Sequence, residues 1–400
     1  MKTLEVTMAA VPTREELVAR ATALRPQLRE HAAKIEADRR VPEEVIDLLA
    51  EAGMFKLSTP KRYGGYESGM RAMLDVSAAL AEGDASSSWV VTLVNVCNYM
   101  TGLFKVQAQD DVFGVDPEAR VTGVLTPTST SVKVDGGWRV TGRWYYNSGS
   151  WHSSWAVLGV PVTNAAGEVV DQGLVLIPRT DLEIEDSWFV AGMRGTASNC
   201  LIAEDVFVPE HRLLSVPAAI GGEFATERKD EVLYRSAFIP VLSLVLAGPQ
   251  LGLGRAALNY VLERAGKKPI SYTFYETQSA SVGVQLQIAE AAQKIDTARL
   301  HAERAAADID SHAAAGTYPD VLTRTRVRAD TGWAVRNTLE AISTLLDVHG
   351  AASFAEVNPL QRIWRDANVA GRHAVAAPGI AMEVYGKALL DVDETVTPLI

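Results

Sequence analysis

Helix-forming and strand-forming sequence lie in separate blocks along this chain, and that segregation restricts the fold more than any other feature. From Thr13 to about Phe113 the pattern is helical. The stretch "TREELVARATALRPQLREHAAKIEADRR" opens with a capping threonine, places Glu15 and Glu16 in the first turn, and carries apolar residues at helical spacing. Between about Val121 and Val208 the pattern alternates instead. "SVKVDGGWRVTGRWYYNSG" reads as two strands joined by a tight turn at Asp135 to Gly137, and "SWAVLGVPVTNAAGEVVDQGLVLIPR" repeats the theme with a turn at Asn164 to Gly167. From about Asp230 onward the chain returns to Ala-rich helix, as in "VGVQLQIAEAAQKIDTARLHAERAAADID". Alternating β and α units are absent, so the expectation is an α+β fold, mostly α, with a central β-domain between two helical ones. The boundaries expected are 1–118, 119–222 and 223–400.

Composition narrows the partners. With 400 residues, 48% of them hydrophobic, the chain has enough apolar surface to bury two or three packed layers. A formal net charge of -11 and no run of five basic residues argue against nucleic acid or an anionic membrane as partner, since both require a concentrated positive patch. A small molecule or another protein is expected instead. Two cysteines, Cys97 and Cys200, and an N-terminus without an apolar signal core point to a reducing cytoplasm. The longest apolar stretch, "AFIPVLSLVLAGPQLGLG", is interrupted by Gly and Pro and is expected to be a buried helix. Motif searches exclude more than they find. "GLGRAA" (Gly252 to Ala257) matches a dinucleotide fingerprint only on paper, because it follows a helical run; close helix packing by small residues is preferred. No P-loop, HExxH, GxSxG or paired CxxC occurs, so no metal site is expected, and "SGSWHSSW" around His152 reads as a polar loop beside a pocket.

Five ordered blocks then carry a resemblance that covers almost the whole chain. They are "VPEEVIDLLAEAGMFKLSTPKRYGG" (Val41 to Gly65), "ALAEGDASSSW" (Ala79 to Trp89), "TGRWYYNSGS" (Thr141 to Ser150), "GMRGTASNCLIAEDVFVP" (Gly192 to Pro209) and "PLQRIWRDANVAGRH" (Pro359 to His373). Together they resemble the acyl-CoA dehydrogenase fold, and within it the two-component flavin-dependent monooxygenases, which include p-hydroxyphenylacetate hydroxylase oxygenase components and sugar nitrososynthases. The resemblance implies an N-terminal helical domain, a middle β-domain, a C-terminal four-helix bundle and a homotetramer. It further implies reduced FMN or FAD supplied by a separate NAD(P)H:flavin reductase, O2 as co-substrate, and a C4a-hydroperoxyflavin that hydroxylates a small aromatic or heteroaromatic metabolite. An N-oxygenase of an amino sugar or amine, and a true acyl-CoA dehydrogenase, are the alternatives.

Local chemistry separates these branches. Dehydrogenases with their base on the last of these helices have a Glu eight to nine residues after "RDA"; here that offset falls on His373 and Ala374. Without a carboxylate nothing there removes an α-proton from a thioester, whereas an imidazole suits oxygen chemistry near neutral pH. An interior histidine bonded to backbone is the other reading of His373. Asp366, seven residues earlier, either shares a helical face with His373 and orients its ring or pairs with Arg362. Ser148, in "WYYNSGS", aligns with the residue of the family's "WITNG" whose hydroxyl meets flavin N5; a turn serine is the alternative. By the same resemblance Leu125, Thr126 and Pro127 pass the isoalloxazine, and Trp188, Arg194, Gly195, Thr196 and Ser198 approach the flavin or its phosphates. Gly350 and Ala351, in "HGAAS", are expected to offer backbone N–H groups to a phosphate from a neighbouring subunit. Cys97, Asn98, Met100 and Tyr146 are expected to line the substrate pocket. Cys97 and Met100 stand where phenol hydroxylases of this branch tend to carry histidines, which disfavours a simple phenol. "ISYTFYETQSAS" lacks the Arg with which dehydrogenases grip the pyrophosphate, so a weak hold on the adenosine diphosphate half is expected. Trp144, Tyr146 and Trp155 are either apolar walls of the site or sheet core.

Overall fold

A computed structural model describes residues 11–400. Helices α1 (Arg14–Asp38), α2 (Glu43–Glu51), α3 (Met70–Ala81), α4 (Ala85–Gly102) and the short α5 (Val106–Gln109) come first. The capping box at Thr13 forms as its spacing predicts: the side chain accepts from the Glu16 N–H, and the Glu16 carboxylate accepts from the Thr13 N–H at 2.7 Å. Eight strands follow: β1 (Val121–Val124), β2 (Ser129–Val134), β3 (Gly137–Asn147), β4 (Trp155–Thr163), β5 (Val169–Pro178), β6 (Glu183–Glu185), β7 (Asn199–Pro209) and β8 (Leu213–Ser215). The remainder is helical again, with α6 (Val216–Ile220), α7 (Phe238–Leu244), α8 (Ala247–Ala265), α9 (Val282–Ala315), α10 (Val321–His349), α11 (Pro359–Ala370) and α12 (Pro378–Leu389). The helix, sheet, helix order of the sequence is therefore the order of the fold.

The strands form two four-stranded sheets, β1-β4-β5-β8 and β2-β3-β7-β6. Side-chain alternation explains why they stack. Along β4 and β5, Ala156, Leu158, Val160, Val175 and Ile177 face the second sheet and meet Trp138, Val140, Trp144 and Leu201 in one core. Their neighbours Val157, Leu174 and Leu176 point the other way into the main helical core. The first sheet is thus buried on both faces, which is why "WAVLGVPV" and "GLVLIP" read as nearly continuous apolar runs. In the second sheet β3 alternates buried and exposed positions. Both hairpin turns form, with Gly136 and Gly167 at φ of 74° and 82°.

In the C-terminal block α9 and α10 pack along each other, α8 lies against both and against α3, and α12 covers α10. The stretch Phe238–Ala265 is long and apolar enough to cross a membrane, yet 89% of its apolar window is buried inside this bundle. The "GLGRAA" glycines serve close packing: a Cβ at Gly252 would sit 2.2 Å from the Ala78 carbonyl oxygen of α3. We therefore expect Gly252→Ala to lower stability by about 1–3 kcal/mol in urea denaturation, because the clash with backbone outweighs the helix-propensity gain of about 1 kcal/mol. Gly266→Ala, where nothing lies within 4 Å, should be tolerated.

Candidate active site

The site is built where the end of β3, the loop between β6 and β7, helix α4 and the turn after α11 meet. Between Trp144 and Asn147 the β3–β7 ladder slips its register, and Tyr146 takes a φ of 73°, a costly conformation for an aromatic residue. This bulge turns the chain so that Ser148, buried at 7% exposure, points into the junction. The Trp89 indole on α4 donates to Ser148 Oγ at 3.1 Å, and Thr122 of β1 fixes the Ser148 carbonyl at 2.8 Å. Ser148 Oγ lies 2.8 Å from Ser198 Oγ, which lies 2.7 Å from Thr196 Oγ1. Thr196 Oγ1 donates to the Met193 carbonyl at 2.9 Å, which also accepts from the Trp188 indole at 2.9 Å. Met193 and Ala197 have φ of 54° and 45°, so three residues in unfavourable backbone regions cluster at one place.

His373 also lies beside Trp89, with ring centroids 6.1 Å apart. It does not continue α11. That helix stops at Ala370 with Gly371 as its cap, and His373 sits in the turn leading to Pro378, its N–H bonded to the Ala370 carbonyl at 3.2 Å. The shared helical face that would let Asp366 orient the ring therefore ends before the ring is reached. Asp366 instead accepts the Met193 N–H at 2.5 Å, and Gly192 packs so closely on α11 that a Cβ there would sit 2.4 Å from the Arg365 carbonyl oxygen. The carboxylate is a clamp that holds the β6–β7 loop to α11. Burial pushes it up to about 7, helped by the charge of buried Asp84 and opposed by the Met193 hydrogen bond and by Arg362 and Arg365.

His373 keeps open surface, yet protein atoms crowd it on most sides. The crowding by low-dielectric protein lowers its imidazole to about 4. At neutral pH the ring is thus uncharged and able to take a proton. Tyr146 meets Trp188 edge-on at 5.9 Å and leaves 71% of its surface exposed. The segment Leu125–Pro127 starts from the Thr122–Ser148 bond and ends where Thr128 Oγ1 donates to the Arg143 carbonyl at 2.6 Å, so it runs beside the end of β3. A serine hydroxyl with one acceptor position left, an exposed backbone segment and two aromatic side chains make a hydrogen-bonding and stacking set that fits a flavin ring.

Known proteins share this fold. Residues 14–109 match the acyl-CoA dehydrogenase N-terminal domain and residues 244–378 match the acyl-CoA dehydrogenase C-terminal domain. The oxygenase subunit HsaA of a flavin-dependent monooxygenase from Rhodococcus jostii (strain RHA1) is 35% identical over 92% of this chain and 96% of its own. The chain belongs to the acyl-CoA dehydrogenase family, in its flavin-dependent monooxygenase branch. The solved structure of XiaF from a Streptomyces species, in complex with FADH2 and glycerol, superposes with a TM-score of 0.92, 38% identity and coverage of 96% of this chain and 97% of that one. The p-hydroxyphenylacetate 3-hydroxylase oxygenase component from Acinetobacter baumannii is 28% identical over 92% of this chain and 87% of its own.

Several residues of the oxygenase singled out in the sequence are employed elsewhere. Asn98 is fully buried, giving its amide N–H to the Phe55 carbonyl and Thr59 Oγ1 and accepting the Val121 N–H, so it ties α4 to β1. Cys97 packs on Gly123, where a Cβ would come within 3.1 Å of its sulfur, and Met100 is core. Burial raises the Cys97 thiol far above its usual range. Cys97 and Asn98 hold the sheet to α4, and all three side chains are buried. The helix positions that do reach the junction are Trp89, Val90 and Val94, the last two lying 3.2 and 3.8 Å from a Cβ built at Gly149. Arg194 spends its guanidinium on the Glu36 and Val190 carbonyls, and Gly195 presses on Ile35 and Ser86, which seats the loop on α1 and α4. Thr196 and Ser198 join Ser148 in the hydroxyl chain. Gly350 donates its N–H to the Leu346 carbonyl at the C-terminus of α10, an end whose dipole repels a phosphate, while Ala351 is exposed. Trp144 is sheet core, its indole bonded to the Gly159 carbonyl at 2.8 Å, and Trp155 lies under Arg212. His152 is buried beside Glu43 at 3.1 Å. Trp89 was not legible as a site residue, because nothing in "DASSSW" distinguishes an indole aimed at a serine from one aimed at the core.

Proposed function

We propose that the protein is the oxygenase component of a two-component system, receiving reduced FMN or FAD from a separate NAD(P)H:flavin reductase and using O2 to hydroxylate a small aromatic or heteroaromatic molecule. The observation that carries this reading is that Trp89 touches both an uncharged His373 and the buried Ser148 hydroxyl, while Asp366, the acid of the preceding helix, is bonded to the Met193 N–H. The flavin, when bound, supplies the activation of oxygen. The protein's own part is to seat the ring by Ser148, Leu125–Pro127, Trp188 and Tyr146, to keep water out with aromatic side chains, and to take the substrate's proton on His373. Asp366 acts at a distance, by holding the loop that carries Met193 to Ser198. The exposed apolar residues Leu262, Val282 and Leu286 beside a recess of about 550 Å3 between α8 and α9, with fully exposed Tyr272 and Phe274 nearby, support assembly into a homotetramer.

The test is turnover with a flavin reductase, NADH and O2 against a panel of phenols, indoles and nucleotide amino sugars, with mass spectrometry for gain of one oxygen atom. Hydroxylated aromatic product is expected. Oxidation of the amino sugars alone would transfer the reading to an N-oxygenase, and anaerobic bleaching of bound oxidised flavin by an acyl thioester would transfer it to a dehydrogenase.

A further inference from the structure

The hydroxyl chain at Ser148 has a fixed direction, which follows from counting protons. Each hydroxyl carries one proton and two acceptor positions. A carbonyl oxygen cannot donate, so at 2.9 Å from the Met193 oxygen Thr196 must place its only proton in that contact; two oxygens so close with no proton between them repel. Thr196 then has none left for Ser198, so across the 2.7 Å contact Ser198 is the donor. Ser198 in turn has none left for Ser148, and across the 2.8 Å contact Ser148 is the donor. The Trp89 indole can only donate, and does so to Ser148. The whole run reads Trp89 to Ser148 to Ser198 to Thr196 to the Met193 carbonyl. All five residues are buried, at 7% exposure or less, so no water competes for these positions.

Ser148 is therefore left with one unused lone pair and no unused proton. We infer that Thr196 and Ser198 are positioning residues that hold the Ser148 hydroxyl as a hydrogen-bond acceptor, so that the site prefers a flavin whose N5 carries a proton over one whose N5 is bare. This rests on the reading that places flavin N5 at Ser148. Reduced flavin has an N5–H to donate and gains a bond at no loss. Oxidised flavin presents a lone pair at N5. To bond it, Ser148 must turn its proton outward, Ser198 and Thr196 must follow, and the Thr196 to Met193 bond is lost. The difference is about one neutral hydrogen bond, or a five- to tenfold preference for the reduced form. Such a bias suits an enzyme that takes up reduced flavin already made elsewhere and must release the oxidised product.

The experiment is anaerobic titration of the flavin-free protein with reduced and with oxidised FMN and FAD, comparing the ratio of the two dissociation constants. Thr196→Val removes the fixed end of the chain. It should cut the preference for reduced flavin by about five- to tenfold, mainly by tightening the oxidised form, a shift of up to about 30 mV in the bound two-electron potential. Thr196→Ser keeps the hydroxyl and should keep the ratio. Ser198→Ala breaks the chain one link nearer and should act like Thr196→Val, which covers the case in which the valine variant fails to fold. Equal weakening of both forms in Thr196→Val and Ser198→Ala, with the ratio unchanged, would overturn the inference. Ser148→Ala separates the two levels: a changed ratio there with no change in Thr196→Val leaves N5 at Ser148 and removes the directed chain, whereas no change in any of these variants removes N5 from Ser148 and the inference with it.

Discussion

His373→Ala should lower the rate of product formation roughly 10²-fold, while reduced flavin continues to be oxidised and the O2 that takes up its two electrons appears as H2O2. Its imidazole lies beside Trp89, the hydrogen-bond donor to Ser148, and Asp366 on the preceding helix is bonded to the Met193 N–H. The pH profile gives the same prediction a second handle. With the ring lowered to about 4, it is neutral and competent as a base throughout the neutral range, so the acid limb of kcat/KM assigned to His373 falls near pH 4 and not near 6.5. In His373→Ala that limb should vanish along with the coupling. The measurement is product and H2O2 per reduced flavin, from pH 4 to 8. Unaltered product yield in the variant would leave His373 as a structural residue of the turn after α11.

Periodicity and turn chemistry carried the architecture, because each is a local property that the fold then uses directly. Period-two alternation in "SVKVDGGWRV" is β2 and β3, and the doubly apolar run of β4 is the strand buried between two cores. The site was legible only in part. Ser148 and His373 could be found by their place in ordered blocks, yet the geometry around them depends on backbone states that residue identity does not announce. Tyr146, Met193 and Ala197 all hold positive φ without being glycine, and those three positions aim Ser148, the Met193 carbonyl and the Thr196–Ser198 pair at one another. Helical spacing misplaced Asp366 for a related reason: the register of seven residues is valid only while the helix lasts, and Gly371 ends it two residues short of His373. Cys97, Asn98 and Met100 share α4 with Trp89, but which face of an almost wholly buried helix meets the cofactor is decided by tertiary packing on β1, which one-dimensional pattern does not contain.

Asp366→Asn should flatten the pH dependence of stability and make the protein more stable than the wild type at pH 8 by roughly 1–3 kcal/mol. The wild-type carboxyl is buried at 6% exposure with the Met193 N–H as its hydrogen-bond partner, and its acidity is shifted from the ordinary 3.8 to about 7. Below pH 3.8 the group is protonated in both folded and unfolded chains, and stability suffers no penalty from it. Between about 4 and 7 the folded chain retains a proton that the unfolded chain has lost, so stability falls as pH rises, and above about 7 the full cost of the buried charge, about 4 kcal/mol, is in place. An asparagine keeps the oxygen that accepts from Met193 and never ionises, which removes that cost. It adds an amide N–H pair to a dry site, which returns about 1–3 kcal/mol of penalty and places the variant below the wild type at pH 4. The two stability curves should therefore cross between about pH 4 and 7 in urea denaturation at fixed protein concentration. Asp366→Ala should instead lose stability at pH 5, since the Met193 N–H is then left without its acceptor at the strained turn that begins the hydroxyl chain. Parallel curves for wild type and Asp366→Asn would mean that the carboxyl titrates in the folded protein as it does in the unfolded chain, and that the clamp on the β6–β7 loop carries its charge at no cost.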